Sequence, residues 1–143
     1  MRVPVVVLCL AVTGCGAVDR ADRPATATER AVGEGYLELA RAFADGRYEA
    51  FCEGLSAESR KVTSRNIFGV EMSCEDWAEE NARIFGDEFD RVARSATIES
   101  VEVVGDKATI DWTSEYSGGR SGGRVTAKRV DGRWLYTAVT PLS

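Results

Sequence analysis

The chain is expected to fold as an α+β domain, with N-terminal helices packed on a curved four-stranded antiparallel sheet. Three observations predict this. Apolar residues recur at helical spacing between residues 32 and 85. From residue 96 the texture changes to short alternating runs, separated by the turn signals Gly105-Asp106, "SGGRSGG" and Asp131-Gly132. Helices followed by strands in this order make an α+β domain with the helices on one sheet face. With 143 residues, 44% hydrophobic and 29% charged, the chain has material for one small core plus appendages.

The first element is a leader. Residues 2–13 read "RVPVVVLCLAVT", one arginine and then an apolar run broken only by Pro4. A charged start followed by a short apolar stretch is the pattern of a secretory signal. The run falls short of the roughly 20 apolar residues needed to cross a bilayer; the competing assignment is a buried first strand or helix. Val12-Thr13-Gly14-Cys15 resembles the bacterial lipobox. The resemblance implies that signal peptidase II cuts between Gly14 and Cys15. It also implies that the Cys15 sulfur carries a diacylglyceryl group and that the new amino terminus is acylated further, as by palmitate. Two or more acyl chains anchor a protein stably, at ~0.8 kcal/mol per buried CH₂.

Residues 1–14 are thus expected to be a signal peptide and residues 15–28 a lipidated cysteine with a flexible tether. Residues 29–143 would form the domain, on the extracytoplasmic face of the cell membrane. The tether "GAVDRADRPATAT" has no periodicity and as a coil would span roughly 20 Å.

Cys9 would leave with the leader and Cys15 would carry lipid, so two of the four cysteines remain, Cys52 and Cys74. An oxidising compartment and an even remainder point to a disulfide; the alternative is two free buried thiols. Bridging them closes a loop of about 22 residues, worth ~3 kcal/mol in the chain-entropy account. Loss of Arg2 with the leader makes the net charge one unit more negative than −5. An acidic surface argues against nucleic acid and anionic headgroups as partners. The acyl chains would hold the protein at the membrane.

In the domain, Thr28 is placed to cap a first helix, with Glu29 in its first turn. Val32, Tyr36, Leu39, Ala40 and Phe43 form its apolar stripe, and Gly46 ends it. "YEAFCEGLSAESRKV" reads as one or two short helices carrying Cys52. Ser73 caps a second long helix from about Cys74 to Phe85, with Trp77, Asn81, Ile84 and Phe85 on one face and Glu75 and Asp76 suiting the helix dipole.

Four strands in a meander follow. Tight turns pair Val130 with Arg133, Ala127 with Tyr136 and Val125 with Ala138; likewise Val104 with Lys107, Val103 with Ala108 and Val101 with Ile110. Across the longer "SGGRSGG" loop, setting Trp112 opposite Ala127 pairs Glu115 with Arg124, Thr113 with Thr126 and Asp111 with Lys128. One face then collects Val101, Val103, Ala108, Ile110, Trp112, Val125, Ala127, Trp134, Tyr136 and Ala138.

These segments resemble the nuclear transport factor 2-like superfamily, and in particular small actinobacterial lipoproteins of that kind. The residues that carry the resemblance are the helical Cys52 region, "CEDWAEENARIF", and "ATIESVEVVGDKATIDWTSEY…RVTAKRVDGRWLYTAV", together most of residues 30–140. The resemblance implies a cystatin-like cone, a bent sheet wrapped around helices, often with a pocket at the open end.

The chain has no histidine, which removes His-ligated metals, Ser-His-Asp and Cys-His catalysis and the Asp-His pairs of some dehydratases of that superfamily. Gly119-Arg120-Ser121-Gly122-Gly123 matches G-x-S-x-G in form, but it falls in a hairpin loop with no helix and no later histidine. No D-x-D-x-D-G calcium loop is present, and no cofactor or metal is expected.

Residues 71–90 hold eight acids against Arg83. They read as a solvated helix face with Glu79 and Arg83 paired, or as a docking surface for a basic partner. Glu99 falls opposite Trp112, the only acid expected on the inner sheet face. There a carboxyl would have a raised pKa and could serve as a general base, as in ketosteroid isomerase relatives; otherwise it sits at the pocket mouth or pairs with Arg129. The candidate pocket is Tyr36, Phe43, Trp77, Glu99, Trp112, Tyr116, Arg129 and Tyr136, although such aromatics can equally be core. Three functions follow from this reading. The first is a non-enzymatic tethered domain binding a small apolar ligand or an envelope protein. The others are a pocket isomerase, hydratase or hydrolase using Glu99, and a structural accessory of an envelope complex.

Overall fold

The computed structural model describes residues 23–64 and 71–137. Gly14 and Cys15, the whole of residues 1–14, and Ala138 lie outside the described residues.

The first helix, α1, spans Ala27–Ala44. Its cap is Thr26, not Thr28. The Thr26 hydroxyl accepts from the Glu29 amide at 3.1 Å while the Glu29 carboxylate accepts from the Thr26 amide at 2.7 Å. The reason is reciprocity, since only Thr26 stands three residues before Glu29 and can complete a capping box. The tether therefore gives way to helix two residues earlier than expected. Val32, Tyr36, Leu39 and Phe43 are buried as the stripe requires, with Ala42 beside them and Ala40 half-buried. At the other end the Gly46 amide donates to the Phe43 carbonyl and the Arg47 amide to Ala42, a Schellman closure with Gly46 at φ 73°.

Two short helices follow, α2 (Tyr48–Glu53) and α3 (Ala57–Ser64). The link between them runs beside the last strand: the Tyr136 amide donates to the Gly54 carbonyl at 2.9 Å and the Ser56 amide to Tyr136 at 2.8 Å. That pairing covers a sheet edge.

Helix α4 spans Cys74–Ser95, well beyond the expected end at Phe85. Ser73 caps it, accepting from the Asp76 amide at 3.0 Å. Gly86 breaks its path at φ 39°, ψ −116°, a conformation open to glycine and strained for other residues. The helix then resumes and brings Phe89 and Val92 onto the core. Cys74 and Ala78 are the buried residues of α4, whereas Ile84 and Phe85 are about half exposed. The side of this first segment that meets the core is marked by Cys74 and Ala78, and Ile84 and Phe85 stand away from it. Arg83 pairs with Glu80, not with Glu79. Cys52 and Cys74 are joined in a disulfide that ties α2 to the start of α4.

The sheet is a meander of β1 (Thr97–Val104), β2 (Lys107–Tyr116), β3 (Gly119–Val130) and β4 (Arg133–Tyr136) in that order. The outer hairpins have the expected registers, including Val101 with Ile110, Val103 with Ala108 and Ala127 with Tyr136. The β2–β3 register does not. Trp112 faces Gly123, Ala108 faces Ala127, Asp111 faces Arg124 and Glu115 faces Arg120.

The Gly-rich segment is strand rather than loop, so a two-residue turn at Ser117-Gly118 suffices and β3 slides by four residues. An even slide keeps every side chain on its face. This register lets Asp111 accept two hydrogen bonds from Arg124 at 2.7 and 3.0 Å. The close approach of the Trp112 ring to Gly123 fits it too: a Cβ there would stand 3.1 Å from the indole.

The core lies between α1, α4 and one sheet face. It contains Val32, Tyr36, Leu39, Cys52, Leu55, Cys74, Ala108, Ile110, Trp112, Val125, Ala127 and Tyr136, with Val101, Val103 and Trp134 packed against it. Ile98 joins them, through a bulge. β1 pairs Ile98 with Trp112 and then Ser100 with Asp111, leaving Glu99 as the extra residue.

Candidate functional site

Toward the end of the sheet where β2 meets β3, the helices and strands border a half-open cavity of about 690 Å³. Its helical wall comes from α1 through Tyr36 and Phe43, and from α4 through Trp77 and Phe89. Its floor is β2, through Trp112, Ser114 and Tyr116, and the facing start of β3. The rings form a chain: Phe85 to Phe89 at 5.2 Å between centroids, Phe89 to Phe43 at 5.3 Å, and Phe43 to Phe51 at 5.1 Å. Tilted and edge-on pairs at such distances are favourable.

Of the expected pocket, Tyr36, Phe43, Trp77, Trp112 and Tyr116 line this cavity and Glu99, Arg129 and Tyr136 do not. Glu99 is the main correction. The bulge turns it to the exposed outer face, where it accepts a hydrogen bond from the Thr113 hydroxyl at 2.7 Å. The inner place opposite Trp112 is taken by Ile98, because an extra residue in β1 reverses the alternation that put Glu99 inside. Arg129 is exposed at the far end of the sheet, with its guanidinium 5.8 Å from the centre of the Trp134 ring, too far along β3 to meet Glu99. Tyr136 is core, and its hydroxyl donates to the Val32 carbonyl at 2.7 Å. Gly119–Gly123, read as a loop, is the start of β3; a nucleophile elbow has no place in a strand of a hairpin.

The cavity's electrostatics are mild. Two charged side chains line it, Glu88 and Arg124. Glu88 accepts from the Ser117 amide at 2.6 Å and lies 3.6 Å from Arg91. Arg124 is held by Asp111, whose carboxyl it pulls below the usual aspartate range by hydrogen bonding. Burial pushes the Tyr36 phenol well above its ordinary value, so it stays protonated and a donor at neutral pH. Among the described residues no cluster of three or more Cys, Asp or Glu side chains could hold a metal ion.

Two polar atoms break the pattern of satisfaction. The Trp112 indole nitrogen and the Ser114 hydroxyl are buried without a hydrogen-bond partner, and both residues line the cavity. An orphaned buried group costs about 1–3 kcal/mol. Sequence reasoning missed Ser114, although it continues the inward series Ile110, Trp112 by one more step of two. It also missed Phe89 and Val92, which lie beyond the helix end expected at about Phe85.

No family model and no curated protein matches this chain. Solved structures of similar shape include a SEC-C motif-containing protein from Rhodopseudomonas palustris, at 12% identity over 72% of each chain with a TM-score of 0.47. Another is a de novo designed protein with a curved β-sheet, at 20% identity over 72% of this chain and 91% of that one, with a TM-score of 0.44. A third is an NTF-2 like protein of unknown function from Shewanella oneidensis, at 15% identity over 73% of this chain and 93% of that one, with a TM-score of 0.39. At such scores they assign neither family nor activity, and the α+β class rests on the chain's own helices and four-stranded antiparallel sheet.

Proposed function

We propose that the protein is a non-enzymatic, lipid-anchored extracytoplasmic domain that binds a small apolar ligand. The cavity of about 690 Å³ lined by aromatic rings carries this reading, because small-molecule sites are concave, mostly apolar and provided with few polar groups. Glu99, the candidate base of an enzymatic reading, lies on the opposite sheet face. The lipobox-like Val12-Thr13-Gly14-Cys15 supports the anchor, and no helix among the described residues is long and apolar enough to cross a membrane.

Titration with the fluorophore N-phenyl-1-naphthylamine tests the cavity. Saturable enhancement is expected in the wild type and is lost in Ala93→Trp, which fills the cavity from α4. Failure of the wild type to bind overturns the reading and favours an accessory role in an envelope complex. Membrane fractionation of a Cys15→Ser variant tests the anchor, with release from the membrane fraction expected.

A further inference from the structure

The cavity is mostly apolar, with a polar spot on its β2 wall. On β2, Trp112 and Ser114 are neighbours on the inward face, and Ser121 lies directly across from Ser114 on β3; all three line the cavity. The Trp112 indole N–H and the Ser114 hydroxyl have no hydrogen-bond partner. Trp112 is 8% exposed and Ser114 only 2%, so solvent does not make good the deficit. Buried polar atoms in folded proteins are nearly always paired, and two orphans on residues that line one cavity mark where a partner is missing.

We propose that the occupant is an uncharged apolar molecule carrying a carbonyl or hydroxyl oxygen, which Ser114 and Trp112 receive as hydrogen-bond donors. This rests on the cavity being a ligand site. A serine side chain has three staggered χ1 positions and its hydroxyl proton rotates about Cβ–Oγ, so Ser114 can turn its hydroxyl toward an occupant. The indole N–H is a donor only, which makes the matching ligand atom an acceptor. The ligand is uncharged because Glu88 and Arg124, the charged side chains on the wall, are already engaged with Ser117 and Asp111. A buried ligand charge would meet only neutral groups there, at high desolvation cost.

The test is calorimetric titration of the full chain with three probes of similar bulk: benzophenone, diphenylmethane, which lacks the carbonyl, and diphenylacetate, which carries a charge. Benzophenone is expected to bind about tenfold tighter than diphenylmethane, and diphenylacetate weakest. Ser114→Ala should bring the first two together by weakening benzophenone and leaving diphenylmethane unchanged. Trp112→Phe provides an independent second variant with the same expected narrowing. Equal affinity of the two neutral probes for the wild type overturns the proposal. So does a preference that survives both substitutions, or tightest binding of diphenylacetate. If neither neutral probe binds, the underlying cavity reading has failed, and the inference falls with it.

Discussion

The two ends of the inner sheet face are built from the same strands and finished differently. At one end Val32, Ala108, Ile110, Val125, Ala127 and Tyr136 pack together as buried core, and the one buried phenol among them is bonded to the Val32 carbonyl. At the other, β2 continues with Trp112 and Ser114 into a cavity, and both polar atoms are orphaned. One strand thus serves a closed half that holds the fold and an open half that is unfinished. Strain of this kind tends to sit where function is placed.

Substitutions should separate the halves. Ile110, fully buried in the closed half, is expected to cost about 2–5 kcal/mol on change to alanine, measured by urea unfolding. Reducing the Cys52–Cys74 bridge should cost about 3 kcal/mol. It should also weaken probe binding, because it frees the start of α4, whose Trp77 is part of the cavity wall. A thiol titration of the denatured, unreduced chain should find neither of these two cysteines reactive.

Tyr136→Phe should cost about 1 kcal/mol and alter the alkaline limb of stability. Burial raises the Tyr136 phenol from 10.0 to about 12, so the folded state holds this proton more tightly than the unfolded one. That contribution is complete below pH 10 and is lost as pH rises toward 12. The variant should show a shallower loss over that window, with Tyr36 supplying the remaining slope. In the open half the sign reverses. Ser114→Ala should stabilise the unliganded chain by about 1 kcal/mol, since it removes an orphaned hydroxyl. A comparable loss would close the contrast between the halves. Phe85, 48% exposed at the rim, should change stability by less than about 0.5 kcal/mol on substitution by alanine.

What was legible in the sequence was what local periodicity controls. The α1 stripe, the Ser73 cap, the outer hairpins and the inward set around Ile110 and Ala127 all follow from spacing and turn residues. The disulfide followed from counting cysteines. What escaped were breaks in period. Gly86 interrupts α4 without ending it, so Phe89 and Val92 went unseen. Glycines 122 and 123 look like turn residues, yet they serve close packing beneath Trp112, and the β2–β3 register slid accordingly. Cap choice at Thr26 over Thr28 depended on a reciprocal bond to Glu29 that propensity alone does not resolve.

The bulge in β1 has a wider consequence. Both Ile98 and Val101 lie within 3.5 Å of where a Cβ at Gly33 would stand, although they differ in parity along the strand. Glu99 acts as a phase shifter. It lets one strand be read in even numbers at its start and odd numbers afterwards, with both frames turned toward α1. Deleting that single residue would restore unbroken alternation and leave Ile98 opposite Trp112 and Thr97 opposite Thr113, each on its present face.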